Sequence, residues 1–249
     1  MILKIIVTVF LIQMTLAATC NYKTAFGFYF CDLSDSFFIN SNDNVMSAGR
    51  HRAGKDDRSI LHVEMINSTV HFIPDVLFKK FKNLKSLYFY NAKPIILDKN
   101  SFSNCSNLTF LTLSENSIKR LPVGVFQECN NLQSIEFIKN DISEVLKDTF
   151  KGLSNLIRLN LSRNKITVIY AGAFDAMPHL LILNLANNQM RKIHSTSLIS
   201  LVNLRILDAT SNICIDKSFL DINSVRVNVI PYFEMCFENF YLLIENEKF

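Results

Sequence analysis

Six cysteines, four N-x-Ser/Thr sequons, five histidines and one glycine–lysine loop are the groups in this 249-residue chain whose types and spacing could do chemistry. Gly49, Gly54 and Lys55 fall at the GxxxxGK spacing with which backbone N–H groups cradle phosphate. Asp56 stands where a Ser or Thr would hold magnesium, and no strand precedes or helix follows, so nucleotide binding is not expected. The surrounding Arg50, His51, Arg52 and Lys55 read as a solvated basic loop. His51, His62, His71, His179 and His194 show no metal-ligand spacing, and no nucleophile elbow occurs. The chain is therefore read as a non-enzyme with no catalytic, cofactor or metal set. A formal charge of +4 is too mild for a nucleic-acid footprint.

The elements that would position any site are set by a 24-residue period. Repeats begin at Ile60, Leu84, Leu108, Leu132, Leu156 and Leu180, and a seventh at Leu204 decays after Asn212. Within each, apolar positions four and six alternate with polar positions three, five and seven, which is the period of a short strand with one buried face. Position nine is Asn116, Asn140, Asn164, Asn188 and Asn212, where a buried amide can satisfy turn backbone in its own and adjacent coils. The first two repeats depart from this, with Ser68 and Ala92, and the turn at Ala92, Lys93 and Pro94 is expected to be irregular. Position nineteen, Phe78, Phe102, Phe126, Phe150 and Phe174 followed by Leu198, is read as an aromatic spine in the core.

The spacing LxxLxLxxNxIxxIxxxxF resembles the extracellular leucine-rich repeat. The resemblance covers residues 60–215 and extends to Toll-type ectodomains, Slit-like guidance proteins and small secreted insect-type immune proteins. It implies an α/β leucine-rich-repeat solenoid, a right-handed horseshoe with a parallel concave β-sheet, a mostly irregular convex side and a cap at each end. The family's usual N-terminal CxxxxCxC pattern and its four-cysteine C-terminal flank are both missing.

Residues 1–18 read as a secretory signal, with Lys4 ahead of an apolar run Ile5–Ile12 and small residues Ala17 and Ala18 at the cleavage point. No later run is long enough to span a bilayer, so a secreted, extracellular chain without membrane insertion is expected. Residues 19–59 show no repeat and read as the N-terminal cap, with 40–57 a polar loop. Residues 213–249 read as the C-terminal cap and tail. There Val225, Val227 and Val229 alternate like a strand, and Phe233, Phe237, Phe240 and Ile244 follow helical spacing. An even cysteine count in a secreted chain suggests disulfides. Cys20 with Cys31 and Cys214 with Cys236 would staple the caps. Cys105 and Cys129 share position twenty-two of adjacent repeats, within disulfide reach, but are read as two buried free thiols acting as small hydrophobes.

A horseshoe presents its concave sheet for recognition. On that face Ile66, Tyr88, Tyr90 and Phe110 form an apolar and aromatic patch, and Lys139, Arg158 and Arg163 a basic one with Glu115 and Glu136 nearby; both are candidate protein-binding sites. The sequons are Asn67, Asn104, Asn107 and Asn160. A glycan on Asn160 would block the middle of the sheet and steer a partner to the aromatic end. The expectation is a secreted protein that binds a protein partner on its concave face, in innate immunity or cell-surface interaction. The alternative is a structural or matrix-associated protein that self-assembles, for instance as a homodimer.

Overall fold

The computed structural model describes residues 18–25, 28–38, 43, 45–48, 51–93 and 95–237. Of the residues read as a secretory signal all but Ala18, and also Gly49, Arg50, Pro94, Phe240 and Ile244, lie outside them. The N-terminal strands are β1 (Ala18–Ala25), β2 (Phe28–Asp32), β3 (Phe37–Phe38) and β4 (Val45–Ala48). Next come β5 (His62–Ile66), β6 (Thr69–Val70), helix α1 (Val76–Lys80), β7 (Ser86–Tyr90) and β8 (Phe110–Ser114). They are followed by β9 (Ser134–Glu136), β10 (Glu144–Val145), β11 (Arg158–Asn160) and β12 (Val168–Ile169). The chain closes with β13 (Ile182–Asn184), β14 (Lys192–Ile193), α2 (Ser195–Ile199), β15 (Ile206–Asp208), β16 (Ser218–Phe219) and α3 (Val225–Asn228).

One 11-stranded sheet runs β16-β15-β13-β11-β9-β8-β7-β5-β2-β1-β4. From β5 to β15 neighbours are parallel and in register at the 24-residue period, so Val63, Leu87, Leu111, Ile135, Leu159, Leu183 and Leu207 lie side by side. All seven are fully buried. No coil could bury this face alone; stacking makes the core continuous. After each strand the chain turns through a left-handed residue: Asn67, Asn91, Glu115, Lys139, Arg163, Asn187 and Ser211 have φ between 51° and 62°. Asn occupies three of the seven, the residue that tolerates this conformation best after glycine.

The asparagine ladder forms. Asn164 Oδ1 accepts the Ile142 N–H at 3.1 Å, while its Nδ2 donates to the carbonyls of Phe137, Leu161 and Ser162. Asn140, Asn188 and Asn212 repeat the arrangement. The spine forms too, with successive Phe78, Phe102, Phe126, Phe150 and Phe174 centroids 5.3–6.4 Å apart. A second ladder ends every repeat but the fifth, where His179 stands in the asparagine's place. The Nδ2 groups of Asn83, Asn107, Asn131, Asn155 and Asn203 donate to the carbonyls of Arg58, Lys82, Ser106, Asn130 and Pro178 in the preceding coil, at 2.7–3.0 Å.

The segment before Ile60 carries a coil that its sequence hides. Strand β2 pairs parallel with β5, Cys31 opposite Val63, and β3 pairs with β6. Leu33 is fully buried, and Asp35 has the left-handed φ of 59° found at every later turn. Ser36 and Ser68 stand at the ladder position, and Ser68 Oγ substitutes for the amide by donating to Leu33 O and accepting from Ser36 N–H. Part of the stretch read as a polar loop is the strand β4, parallel to β1.

Two further expectations are corrected. Cys105 and Cys129 are disulfide-bonded, because equivalent positions of adjacent coils bring their Cα atoms to 4.9 Å. The cap pairs Cys20–Cys31 and Cys214–Cys236 are bonded as expected. Val225 opens the helix α3 rather than a strand. An i, i+2, i+4 pattern also places its outer members on one helix face, and Val225 and Val229 are both buried. Phe233 is buried in the 3-10 turn Ile230–Phe233 and its ring lies 6.3 Å from Phe237.

The flank behind the sheet is regular only in places. β10, β12 and β14 make a three-stranded ladder at positions thirteen and fourteen of repeats four to six. It ends at β10. In repeat two Ala92 has no amide to offer, and proline lacks an N–H, so Pro94 cannot donate where Ile118 and Ile142 donate in later coils. Asn116 Oδ1 turns instead to the Ala92 N–H at 2.7 Å, and Ile95 N–H reaches forward to Asn116 O. Ser117 takes a φ of 56°. This is the irregularity expected at Ala92, and it leaves a cleft on that flank.

Candidate interaction surface

The concave face is assembled by register alone. The third position of each coil places Phe30, His62, Ser86, Phe110, Ser134 and Arg158 in a row, and the fifth places Asp32, Glu64, Tyr88, Thr112, Glu136 and Asn160. Parallel strands lie about 4.8 Å apart, so neighbours in a row touch. Tyr88 and Phe110, diagonal across two strands, have ring centroids 5.1 Å apart, and both are half-buried. Phe28 is 52% exposed and packs edge-on to His62 at 4.7 Å. Among the described residues, the cap strands β2, β1 and β4 extend the sheet sideways rather than folding over this patch. Ile66 is half-buried and Tyr90 is 44% exposed.

Tyr90 is also tied down. Its hydroxyl donates to Glu115 Oε1 at 2.8 Å, and the same carboxylate meets Lys139 Nζ at 3.2 Å. These contacts hold the Glu115 carboxyl below the usual glutamate range. The expected basic patch is thus divided. Lys139 is neutralised by Glu115, and Glu136 accepts from Thr112 Oγ1 at 2.8 Å. Arg158 and Arg163 are exposed, with no carboxylate at ion-pair distance among the described residues.

The N-terminal end of the face is acidic. Asp32 pairs with Lys23 and lies beside Glu64. Burial pushes the Glu64 carboxyl up, helped by the Asp32 charge, and burial holds the His62 imidazole below its ordinary value. No group of three or more His, Cys, Asp and Glu among the described residues could hold a metal ion, and no described helix is long and apolar enough to cross a membrane.

Asn67 and Asn104 are exposed, and both have left-handed backbone. Asn67 Oδ1 accepts from Asn91 Nδ2 at 2.8 Å. Asn107 is a rung of the second ladder, donating to Lys82 O at 2.9 Å. Asn160 is half-buried on the concave face, its Oδ1 accepting from Ser162 N–H. Two features escaped the sequence reading: Phe28 and Phe30 join the aromatic end, and a cleft opens beside Ile96. The signal for the first was the spacing FxxCxLxxSxF from Phe28 to Phe38, a degenerate copy of the repeat.

The leucine rich repeat family profile matches residues 106–166, 130–190 and 154–213. With the parallel coils and both ladders, this makes residues 106–213 leucine-rich repeats and the fold a leucine-rich-repeat solenoid. Among solved structures it is similar to Toll in the Drosophila Toll–Spatzle complex, described as a hub in development and innate immunity. The TM-score is 0.55 at 19% identity, over 73% of this chain and 29% of that one. It is also similar to the leucine-rich-repeat domain of APL1, with a TM-score of 0.58 at 21% identity, over 74% of this chain and 47% of that one. The chain thus spans less than half the length of either. No curated protein sequence matches it.

Proposed function

We propose that this chain is a secreted recognition protein that binds a protein partner on the N-terminal half of its concave face. The observation that carries this reading is the Tyr88–Phe110 pair, two rings in contact on an open sheet face with Ile66, Tyr90 and Phe28 around them. Clustered aromatic side chains are the groups that most often supply binding energy at interfaces. Arg158 and Arg163 form a secondary contact of opposite character at repeat five. A glycan on Asn160 separates the two areas, and Asn67, Asn104 and Asn107 are the other acceptors. The three disulfides suit an oxidising compartment, and the leader at 1–18 provides the route there. The complex of Toll with Spatzle, a hub in Drosophila development and innate immunity, supports an immune setting.

Affinity capture with the secreted protein, beside Tyr88→Ala/Phe110→Ala and Arg158→Ala/Arg163→Ala variants of unchanged melting temperature, tests the reading. A partner lost with the aromatic variant and weakened with the arginine variant is expected. A partner retained by the aromatic variant would exclude that patch. Self-association abolished by the same variant, with no partner captured, would replace recognition by assembly.

A further inference from the structure

On the flank of repeats two and three, away from the concave face, the lapse in the ladder opens a cleft of about 470 Å³ lined by Ile95, Ile96, Leu97, Ser117, Lys119 and Arg120. Its origin lies in the chain. Elsewhere position eleven is an aliphatic residue turned into the core, such as Ile118, Ile142 and Ile166, all buried. In repeat two the sequence has Pro94 at position eleven, and Ile95, one residue later, is buried. Position twelve, which faces outward in repeats three to six, is thus turned inward, while Ile96 keeps the outward side of position thirteen, 53% exposed, and Leu97 the buried position fourteen. The three-stranded flank ladder would cover this strip in register, but it stops at β10 in repeat four. The result is an aliphatic floor with two consecutive exposed cations, Lys119 and Arg120, at its rim. Neither has a carboxylate at ion-pair distance among the described residues, whereas Lys139 is matched by Glu115 and Lys165 by Asp141.

We infer that this cleft binds a small anionic amphiphile, an aliphatic carboxylate whose chain lies on Ile96 and whose head meets Lys119 and Arg120. The volume lies in the ~300–1,000 Å³ range of small-molecule sites, which are concave, mostly apolar and oriented by few polar groups. A guanidinium engages a carboxylate bidentately and an ammonium as a point charge, so the rim is matched to a single carboxylate head. A cationic or neutral head would leave both rim charges unmet. The inference is independent of the Tyr88–Phe110 pair, neither of which lines the cleft.

The test is calorimetric titration of the secreted protein with decanoate below its critical micelle concentration. Decyltrimethylammonium serves as the same chain with the opposite charge. Saturable binding of one decanoate is expected, at least tenfold weaker in Lys119→Glu/Arg120→Glu and abolished in Ile96→Asp. All three positions are exposed, so the variants should fold, and unchanged melting temperatures would verify it. Tyr88→Ala/Phe110→Ala should bind decanoate normally. Absent or non-saturable binding, equal binding of the ammonium probe, or full affinity in both cleft variants would each overturn the inference.

Discussion

Asn116 holds Ala92 by its backbone at 2.7 Å, and the side chain of Ala92 has nothing to return to the coil before it. The pair marks where the asparagine ladder is weakest. Asn116 makes two side-chain hydrogen bonds, to Ala92 N–H and Phe89 O, whereas Asn164 makes four. Replacing a buried amide by alanine leaves its former partners unsatisfied, at about 1 kcal/mol or more for each. Asn164→Ala should therefore destabilise by about 3–4 kcal/mol and Asn116→Ala by about half as much. Denaturant unfolding of both variants checks the ordering; equal losses would mean that the ladder is not the main contributor at these positions.

The N-terminal cap should respond to acid in two opposite ways. Asp57 gathers Tyr22 Oη at 3.0 Å, Lys80 Nζ at 3.1 Å and His51 Nε2 at 3.2 Å. Burial pushes its carboxyl up, but these contacts outweigh burial and hold it below the ordinary 3.8. Its contribution is complete above pH 3.8 and is lost as the pH falls through the lower folded value. Glu64, raised above 4.5, destabilises in its ionised form at neutral pH, a penalty that vanishes as it is protonated. In melting-temperature profiles Asp57→Asn should melt below the parent at pH 7 and converge with it in strong acid. Glu64→Gln should melt above the parent at pH 7 and converge below pH 4.5. Parallel profiles would contradict both assignments.

The Cys105–Cys129 bond closes a 24-residue separation inside the repeats. Loop closure of that size contributes about 3 kcal/mol. A Cys105→Ser/Cys129→Ser variant should lose about that much, and alkylation of the denatured, unreduced parent should label no cysteine. Two labelled thiols would restore the reading of free buried cysteines.

Gly152 has a φ of 99°, and a Cβ there would lie 2.4 Å from the Phe126 carbonyl oxygen in the preceding coil. Gly152→Ala combines backbone strain with a clash against backbone that cannot rotate away. It should cost about 2 kcal/mol or more and lower the melting temperature by about 5 °C. An unchanged melting temperature would show that the two coils can part there.

What could be read from the sequence was whatever obeyed the 24-residue period. The strands, the core leucines, the phenylalanine spine and Asn116 to Asn212 all recur at that interval, and all take their expected places. The coil at Phe28–Phe38 escaped because Cys31 and Val63 are 32 residues apart, so the interval is lost where the chain detours through β4. Asn83, Asn107, Asn131, Asn155 and Asn203 recur too, yet an exposed asparagine beside a turn looks like ordinary solvation until its carbonyl partner is seen. The aromatic patch followed from alternation along the strands, but the tether from Tyr90 to Glu115 and Lys139 depends on rotamers that no periodicity encodes. The cleft beside Ile96 was hidden most deeply, since it arises from an N–H group that proline does not have.

The two ends of the long sheet share one property. β1 runs antiparallel to β2, β4 follows β1, and β16 runs antiparallel to β15. A further coil, from this chain or another copy, would need a parallel neighbour in the repeat register, and neither end offers one. Reversed terminal strands act as stops on growth, a safeguard against the edge-to-edge fibres that open sheets invite. Coil-on-coil stacking in the repeat register is thereby interrupted at both described ends, and a strand added at β16 would have to run against that neighbour to share the direction of the repeats.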